Sequence, residues 1–184
     1  PGTGQLGLTE YNAETPAGAA YNDALTDAFL DAPAVREFGR SHDIMTLPSL
    51  PGVVGSILAA WHEFSGGRTA PRIAILDWDD VPTRTEFELY LRRFAEMGLE
   101  AEIDAPRRCE YRDGKLWQGG KPVDLIYKRV LISELIETCG IDHDVVRAVR
   151  DRAVCLVDGF RCKILHKKAS LAVLSDEANA ARFA

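Results

Sequence analysis

Ile73-Ala74-Ile75-Leu76-Asp77-Trp78-Asp79-Asp80, followed closely by Thr83-Arg84-Thr85-Glu86, decides the fold of this chain. An unbroken apolar run of this length reads as a strand covered on both faces. Thr83 and Glu86 have the spacing of a capping box, which predicts a helix start there. Phe87, Tyr90, Leu91 and Phe94 then form one apolar stripe, and Gly98 ends the helix. Leu99 to Ile103 reads as the next strand. Strand, helix and strand in that order make a βαβ unit, which crosses over right-handed into a parallel sheet.

The same pattern continues toward the C-terminus. Glu110 to Trp117 reads as a hairpin around Asp113-Gly114. Val123-Asp124-Leu125-Ile126-Tyr127 is a third core strand, with Lys128-Arg129 just past its end. Leu131 to Thr138 is helical and stops at Gly140. Asp142 caps a further helix that runs to about Arg150. Ala153 to Val157 is a fourth strand, ending at Asp158-Gly159. Ile164 to Leu174 reads as one helix carrying Lys167-Lys168. The expected fold class is α/β, a mostly parallel sheet flanked by helices, with a helical N-terminal portion.

That N-terminal portion begins with alternation over Leu6, Leu8 and Glu10, the period of a strand. Thr15-Pro16 is the expected helix start after it, with Thr as cap and Pro at the first helical position. Tyr21, Leu25 and Phe29 form a helical stripe, stopped at Ala32-Pro33. A short helix follows from Pro33 to about Gly39, and Pro48 and Pro51 bracket a turn. Val53 to Phe64 is a helix closed by Ser65-Gly66-Gly67. Arg68 to Pro71 is the clearest linker, so the expected division is 1–67 and 68–184.

The totals limit what the chain does. It has 184 residues, 46% apolar and 27% charged, which suits an ordinary globular protein. A net charge of −6 argues against nonspecific nucleic-acid binding and against an anionic membrane surface. No run is long and apolar enough to span a membrane. Cys109, Cys139, Cys155 and Cys162 lie far apart, so buried thiols in a reducing cytoplasm are expected rather than a zinc site or disulfides. His42, His62, His143 and His166 show no ligand spacing. The chain opens without Met and ends within a helical stretch, which reads as a piece of a longer protein.

Glu10 and Asn12, two apart on a strand, point to the same face. A carboxylate and an amide oxygen there suit a hard cation such as Mg²⁺ that also holds phosphate oxygens. The same spacing also suits two solvated residues at a loop. In open α/β sheets, ligands bind beyond the carboxyl ends of the strands. Asp77 to Asp80, Lys128-Arg129 and Asp158-Gly159 all fall there. Arg129 has the geometry to clamp a carboxylate or phosphate, or to sit in a surface ion pair. Lys167 or Lys168 can reach a phosphate, or lie on a solvated face. Asp77-Trp78-Asp79 also fits the D-x-D arrangement of metal-dependent nucleotide-sugar transferases, though Asp79 equally serves the turn into the helix. A Walker loop, a G-x-G-x-x-G after a strand and a G-x-S-x-G are all missing from the sequence.

Glu10-Tyr11-Asn12-Ala13-Glu14-Thr15-Pro16 resembles the E-x-N-A-[DE]-T-P motif of glutathionylspermidine synthetase and related circularly permuted ATP-grasp ligases. Eukaryotic glutathione synthetase carries a looser version. The strand Ile73–Leu76, then 123–129, then Lys167-Lys168-Ala169-Ser170-Leu171, are similar in order to that family's substrate-side, Rossmann-like pre-ATP-grasp region. The resemblance implies that Glu10 and Asn12 hold Mg²⁺ bound to ATP, that Thr15 and Arg129 contact substrate, and that Lys168, or else Lys167, contacts the nucleotide. Ala17 stands where the family often has Ser. The implied reaction activates a small-molecule or peptide carboxylate with ATP, and an amine then attacks the acyl phosphate. The covering lysine, Gly-rich loop and further acidic ligands of the family lie mostly beyond the region seen here. The partners implied are therefore the two substrates and the rest of a parent chain. The expectation is that these 184 residues fold but do not turn over ATP alone; the alternatives are the nucleotide-sugar transferase domain using Asp77 and Asp79 and a noncatalytic α/β binding module.

Overall fold

A computed structural model describes residues 10–67 and 69–183. The expected strand over Leu6 and Leu8 lies outside them. Four parallel strands form the central sheet: β1 (Ile73–Leu76), β2 (Ala101–Asp104), β6 (Leu125–Lys128) and β7 (Cys155–Val157), in the order β2-β1-β6-β7. A small antiparallel sheet, β3 (Cys109–Arg112), β4 (Lys115–Gln118) and β5 (Lys121–Val123), is inserted between β2 and β6. The fold is mixed α/β, with helices flanking the parallel sheet.

Alternation along β1 builds two cores. Ile73 and Ile75 face one side with Leu125, Tyr127 and Cys155. They meet α4 (Arg84–Glu96) through Phe87, Tyr90 and Phe94, and α3 (Leu50–Ser65) through Val54, Ile57 and Trp61. Both triplets have i, i+3, i+7 spacing, one stripe of a helix. Ala20 of α1 (Ala19–Leu30) joins the same cluster, so α1 and α3 share a core with the sheet. Ala74, Leu76 and Ile126 face the other side. There they pack with Leu116 and Val123 of the small sheet, Leu135 of α5 (Ile132–Cys139) and Val145 of α6 (Asp144–Arg150).

Several expected elements form as read. The helix at Pro33 is α2 (Pro33–Phe38), and α3 ends on Gly66 in the left-handed conformation, φ 66°. The Asp113-Gly114 hairpin has positive φ at both residues, the type I′ geometry that suits twisted strands. Among the described residues no helix is long and apolar enough to cross a membrane.

Other elements differ, each for a physical reason. Helix α1 starts at Ala19 rather than at Thr15-Pro16, behind Gly18 at φ 102°. No capping box forms at Thr83: the Glu86 N–H donates to the Thr83 carbonyl, and the Glu86 side chain leaves for α1. Pro51 lies in the first turn of α3 rather than closing a turn with Pro48. The run from Val123 to Tyr127 is split at Asp124, whose carboxylate accepts the Arg72 N–H at 2.8 Å, so β5 and β6 belong to different sheets. His143, not Asp142, caps α6, its Nδ1 accepting from Val145 N. The last helix is broken into α7 (Cys162–His166) and α8 (Ala169–Ser175), because Lys168 takes φ 57°.

Arg72, 7% exposed, fastens the amino end of the sheet. Its guanidinium reaches Glu102 at 2.6 Å and Glu100 at 3.2 Å on the β2 side. The α4 stripe of Phe87, Tyr90 and Phe94 is fully buried against the sheet. Phe87→Ala, which empties a fully buried position, is expected to lower unfolding free energy by about 3–5 kcal/mol in denaturant titration. A loss below about 1 kcal/mol would contradict this packing.

Candidate functional site

The strand order sets where a ligand would approach. From β1 the chain moves to β2 on one side and later returns to β6 on the other. The order in which the parallel strands are added therefore reverses between β1 and β6, and such a switch point opens a crevice at the carboxyl ends of the strands. Leu76 pairs with Lys128 in register, so Asp77 and Arg129 stand at this crevice.

Residues 10–18 lie across it. Arg129, only 5% exposed, donates from Nη1 to the Pro16 carbonyl and to the Tyr127 hydroxyl, the latter at 3.1 Å. Its Nη2 lies 3.7 Å from Oε2 of Glu86, too far for a hydrogen bond but close enough for strong attraction between buried charges. Oε1 of Glu86 accepts from Gly18 N at 2.6 Å and from Ala20 N at 3.3 Å, so α4 supplies the cap that α1 lacks.

Lys128 is 2% exposed. Its ammonium donates to the Val130 carbonyl at 3.1 Å and to the Glu14 carbonyl at 3.5 Å. Burial pushes its pKa down, against the charges of Glu14 and Asp158. Glu14, 1% exposed, is the main anchor of the segment. Its Oε1 accepts from Ile132 N at 2.8 Å, and its Oε2 pairs with Lys163 at 2.7 Å. Burial alone would raise its pKa. The bonds to Lys163 and Ile132, together with the charge of Lys128, outweigh that and hold the carboxyl below its ordinary value.

At the outer end of the segment, Glu10 and Asn12 are both exposed. Nδ2 of Asn12 lies 3.4 Å from Oε1 of Glu10, so the two side chains do meet. Nζ of Lys168 lies 2.7 Å from Oε2 of Glu10. Lys168, through its hydrogen bond and its charge, and Asn12 after it, lower the Glu10 pKa. Tyr11 bonds to Ser170 beside them. Three of the residues singled out in the sequence thus come together, from positions 158 residues apart. Lys167 is exposed and has no ion-pair partner among the described residues. Thr15 is half-buried, next to Glu14.

Asp77 and Asp79 do not face one another as a pair. Asp77 is 8% exposed and accepts from Trp78 N, and burial raises its pKa. Asp79 is held by Arg108 through two hydrogen bonds, at 2.6 and 3.0 Å, which lower its pKa. Arg108 also binds Asp104. Glu134 takes the Trp78 indole N–H at 3.1 Å, and Arg107 lies over that ring.

Glu14, Lys163 and Glu86 were missed as site residues in the sequence. Glu14 continues the alternation of Glu10 and Asn12, a signal that was there to find. Lys163 and Glu86 reach the segment over 149 and 68 residues, and no local pattern reports that.

No family model matches the chain, and no curated protein matches it.

Asp158 gives the crevice a pH dependence. Burial pushes its carboxyl up to about 6, against the lowering effect of Lys128 and Arg129. An unfolded aspartate titrates near 3.9, so the folded state holds the extra proton between the two values. The stability this contributes is full below about pH 4 and is lost as pH rises through about 6. Asn tolerates the φ of 59° found here. The melting temperature of Asp158→Asn, relative to wild type, is expected to increase between about pH 4 and pH 7.5. A difference that stays constant with pH would contradict the assignment.

Proposed function

We propose that this chain is the substrate-side, pre-ATP-grasp region of an ATP-dependent carboxylate–amine ligase of the circularly permuted ATP-grasp kind. The observation that carries the reading is the convergence of Glu10, Asn12 and Lys168 at the outer end of a segment laid over the switch point. A carboxylate and an amide that meet on an exposed edge fit Mg²⁺. That ion takes few protein ligands and completes its shell with phosphate and water. Turning the Asn12 amide over would present its oxygen beside the carboxylate. Glu10 and Asn12 would hold the ion, which neutralises phosphate charge when bound with ATP.

The other residues have roles that their positions support. Lys168 supplies a positive charge for nucleotide phosphate, with Lys167 exposed one residue away. Lys128 and Arg129 give the crevice a buried positive field suited to an anionic acid substrate. Arg129 acts mainly through the 10–18 segment, since its guanidinium is engaged by Pro16, Tyr127 and Glu86. Thr15 lies on that segment, within reach of a substrate in the crevice. The four cysteines are free thiols, which supports a reducing, cytoplasmic setting. The nucleotide-sugar transferase alternative gains nothing from the geometry, because Asp79 is bound by Arg108 and Asp77 is turned into a buried site.

Mn²⁺ binding, followed by electron paramagnetic resonance, separates these readings. Glu10→Gln and Asn12→Ala are each expected to weaken binding by about tenfold or more, and Asp79→Ala to leave it unchanged. Loss on Asp79→Ala with retention on Asn12→Ala would overturn the ligase reading.

A further inference from the structure

We infer that a cleft at the amino ends of β6 and β7 binds a free amino acid with an aromatic or large apolar side chain. The cleft has a volume of about 810 Å³, within the range of small-molecule pockets. It lies at the opposite end of the parallel sheet from Lys128, Arg129 and Asp158, so it is separate from the switch-point crevice. The end of α3, the tip of the Asp113-Gly114 hairpin and the stretches that lead into β6 and β7 enclose it. Part of its wall is apolar. Trp61 and Phe64, one helical turn apart on α3, stack with ring centroids 6.1 Å apart, and Leu156 of β7 lines the same cleft. Phe64 is 43% exposed, apolar surface that the protein itself leaves uncovered. The Trp61 indole N–H already donates to the Thr69 carbonyl at 2.9 Å, so the rings offer apolar faces rather than a donor.

The charges narrow the ligand further. Glu63, Asp124, Lys115 and Arg152 line the cleft, two carboxylates and two cations. No two of them form an ion pair, and among the described residues the side chains of Glu63, Lys115 and Arg152 have no partner. Asp124 commits one oxygen to the Arg72 N–H at 2.8 Å. These lining charges sum to zero, so a ligand of one sign gains little from the net field. A zwitterion answers both signs at once. Its carboxylate meets Lys115 and Arg152, its ammonium meets Glu63 in the negative field that Asp124 adds to, and its side chain rests on Trp61 and Phe64. Arg152 stands where α6 ends in a left-handed turn, φ 56°, a place that glycine usually takes. Arg152 N donates to the Val149 carbonyl and Ala153 N to the Ala148 carbonyl, which fixes the backbone from which the guanidinium extends.

The test is an NMR titration of the 184-residue chain with L-phenylalanine, with 3-phenylpropionate, which lacks the ammonium, and with 2-phenylethylamine, which lacks the carboxylate. The Trp61 indole N–H and the Arg152 and Leu156 amides report the cleft, and the Arg129 amide reports the crevice. Phenylalanine at millimolar concentration is expected to shift the cleft signals and to bind about fivefold more tightly than either analogue, the range of an exposed charge pair. The double variant Lys115→Gln, Arg152→Gln is expected to weaken phenylalanine about fivefold without weakening phenylethylamine. Glu63→Gln is expected to weaken phenylalanine by about the same factor without weakening phenylpropionate. Arg152→Gly suits the left-handed backbone, and in place of Arg152→Gln it keeps the test valid if the first double variant folds poorly. Cleft signals that stay still, a shift at Arg129 with none in the cleft, equal affinity for all three probes, or variants that match wild type would each overturn the inference.

Discussion

The fold depends most on one buried carboxylate. Glu86 is fully enclosed, so its carboxyl oxygens must find partners within the protein. Two backbone N–H groups at the start of α1 and the guanidinium of Arg129 provide them. Arg129 in turn lies over the rings of Phe87 and Tyr127, 5.4 Å from each, and holds the Pro16 carbonyl. Removing either charge would strand the other in a medium of low dielectric, a loss of about 3–5 kcal/mol in comparable pairs. The arrangement therefore ties three distant pieces of chain into one geometry: α4, the end of β6 and the segment before α1.

That geometry lays residues 10–18 along the switch point of the sheet. The segment presents its own carboxylates and carbonyls to the cations it crosses. Pro16 serves Arg129, Glu14 serves Lys163 and Lys128, and Glu10 serves Lys168. The inner contacts are buried and act as structure. The outermost pair is exposed and open to solvent. Burial decides the division of labour: the same kind of ion pair anchors the segment at Glu14 and stays open to competition at Glu10.

Much of the fold was legible in the sequence because the deciding signals are local. The apolar run of β1, the α4 stripe, the Asp113-Gly114 hairpin and the glycine ending α3 each need only neighbours within a few residues. Two of the departures come from partners distant in sequence, and a third from one backbone angle. Thr83 and Glu86 have the spacing of a capping box, but a partner 68 residues away takes the Glu86 side chain. Val123 to Tyr127 reads as one strand until the Arg72 N–H draws on Asp124. Ile164 to Leu174 reads as one helix until Lys168 turns left-handed. At the site, Glu10, Asn12 and Lys168 were singled out and lie together. Lys163 was not, because it reaches Glu14 over 149 residues, and Glu14 was passed over although it continues the alternation of Glu10 and Asn12.

One carboxylate from α4 and one carried by the 10–18 segment itself fix that segment and the helix starts beside it. Amide hydrogen exchange read residue by residue by NMR tests it most directly. Gly18 N and Ala20 N donate to Glu86, and Ile132 N donates to Glu14. All three amides lie at or before the first turn of a helix, where no helical bond would protect them. The account predicts that all three exchange far more slowly than in an unstructured chain. Exchange of the three at unstructured rates, with the β1 amides still protected, would contradict it.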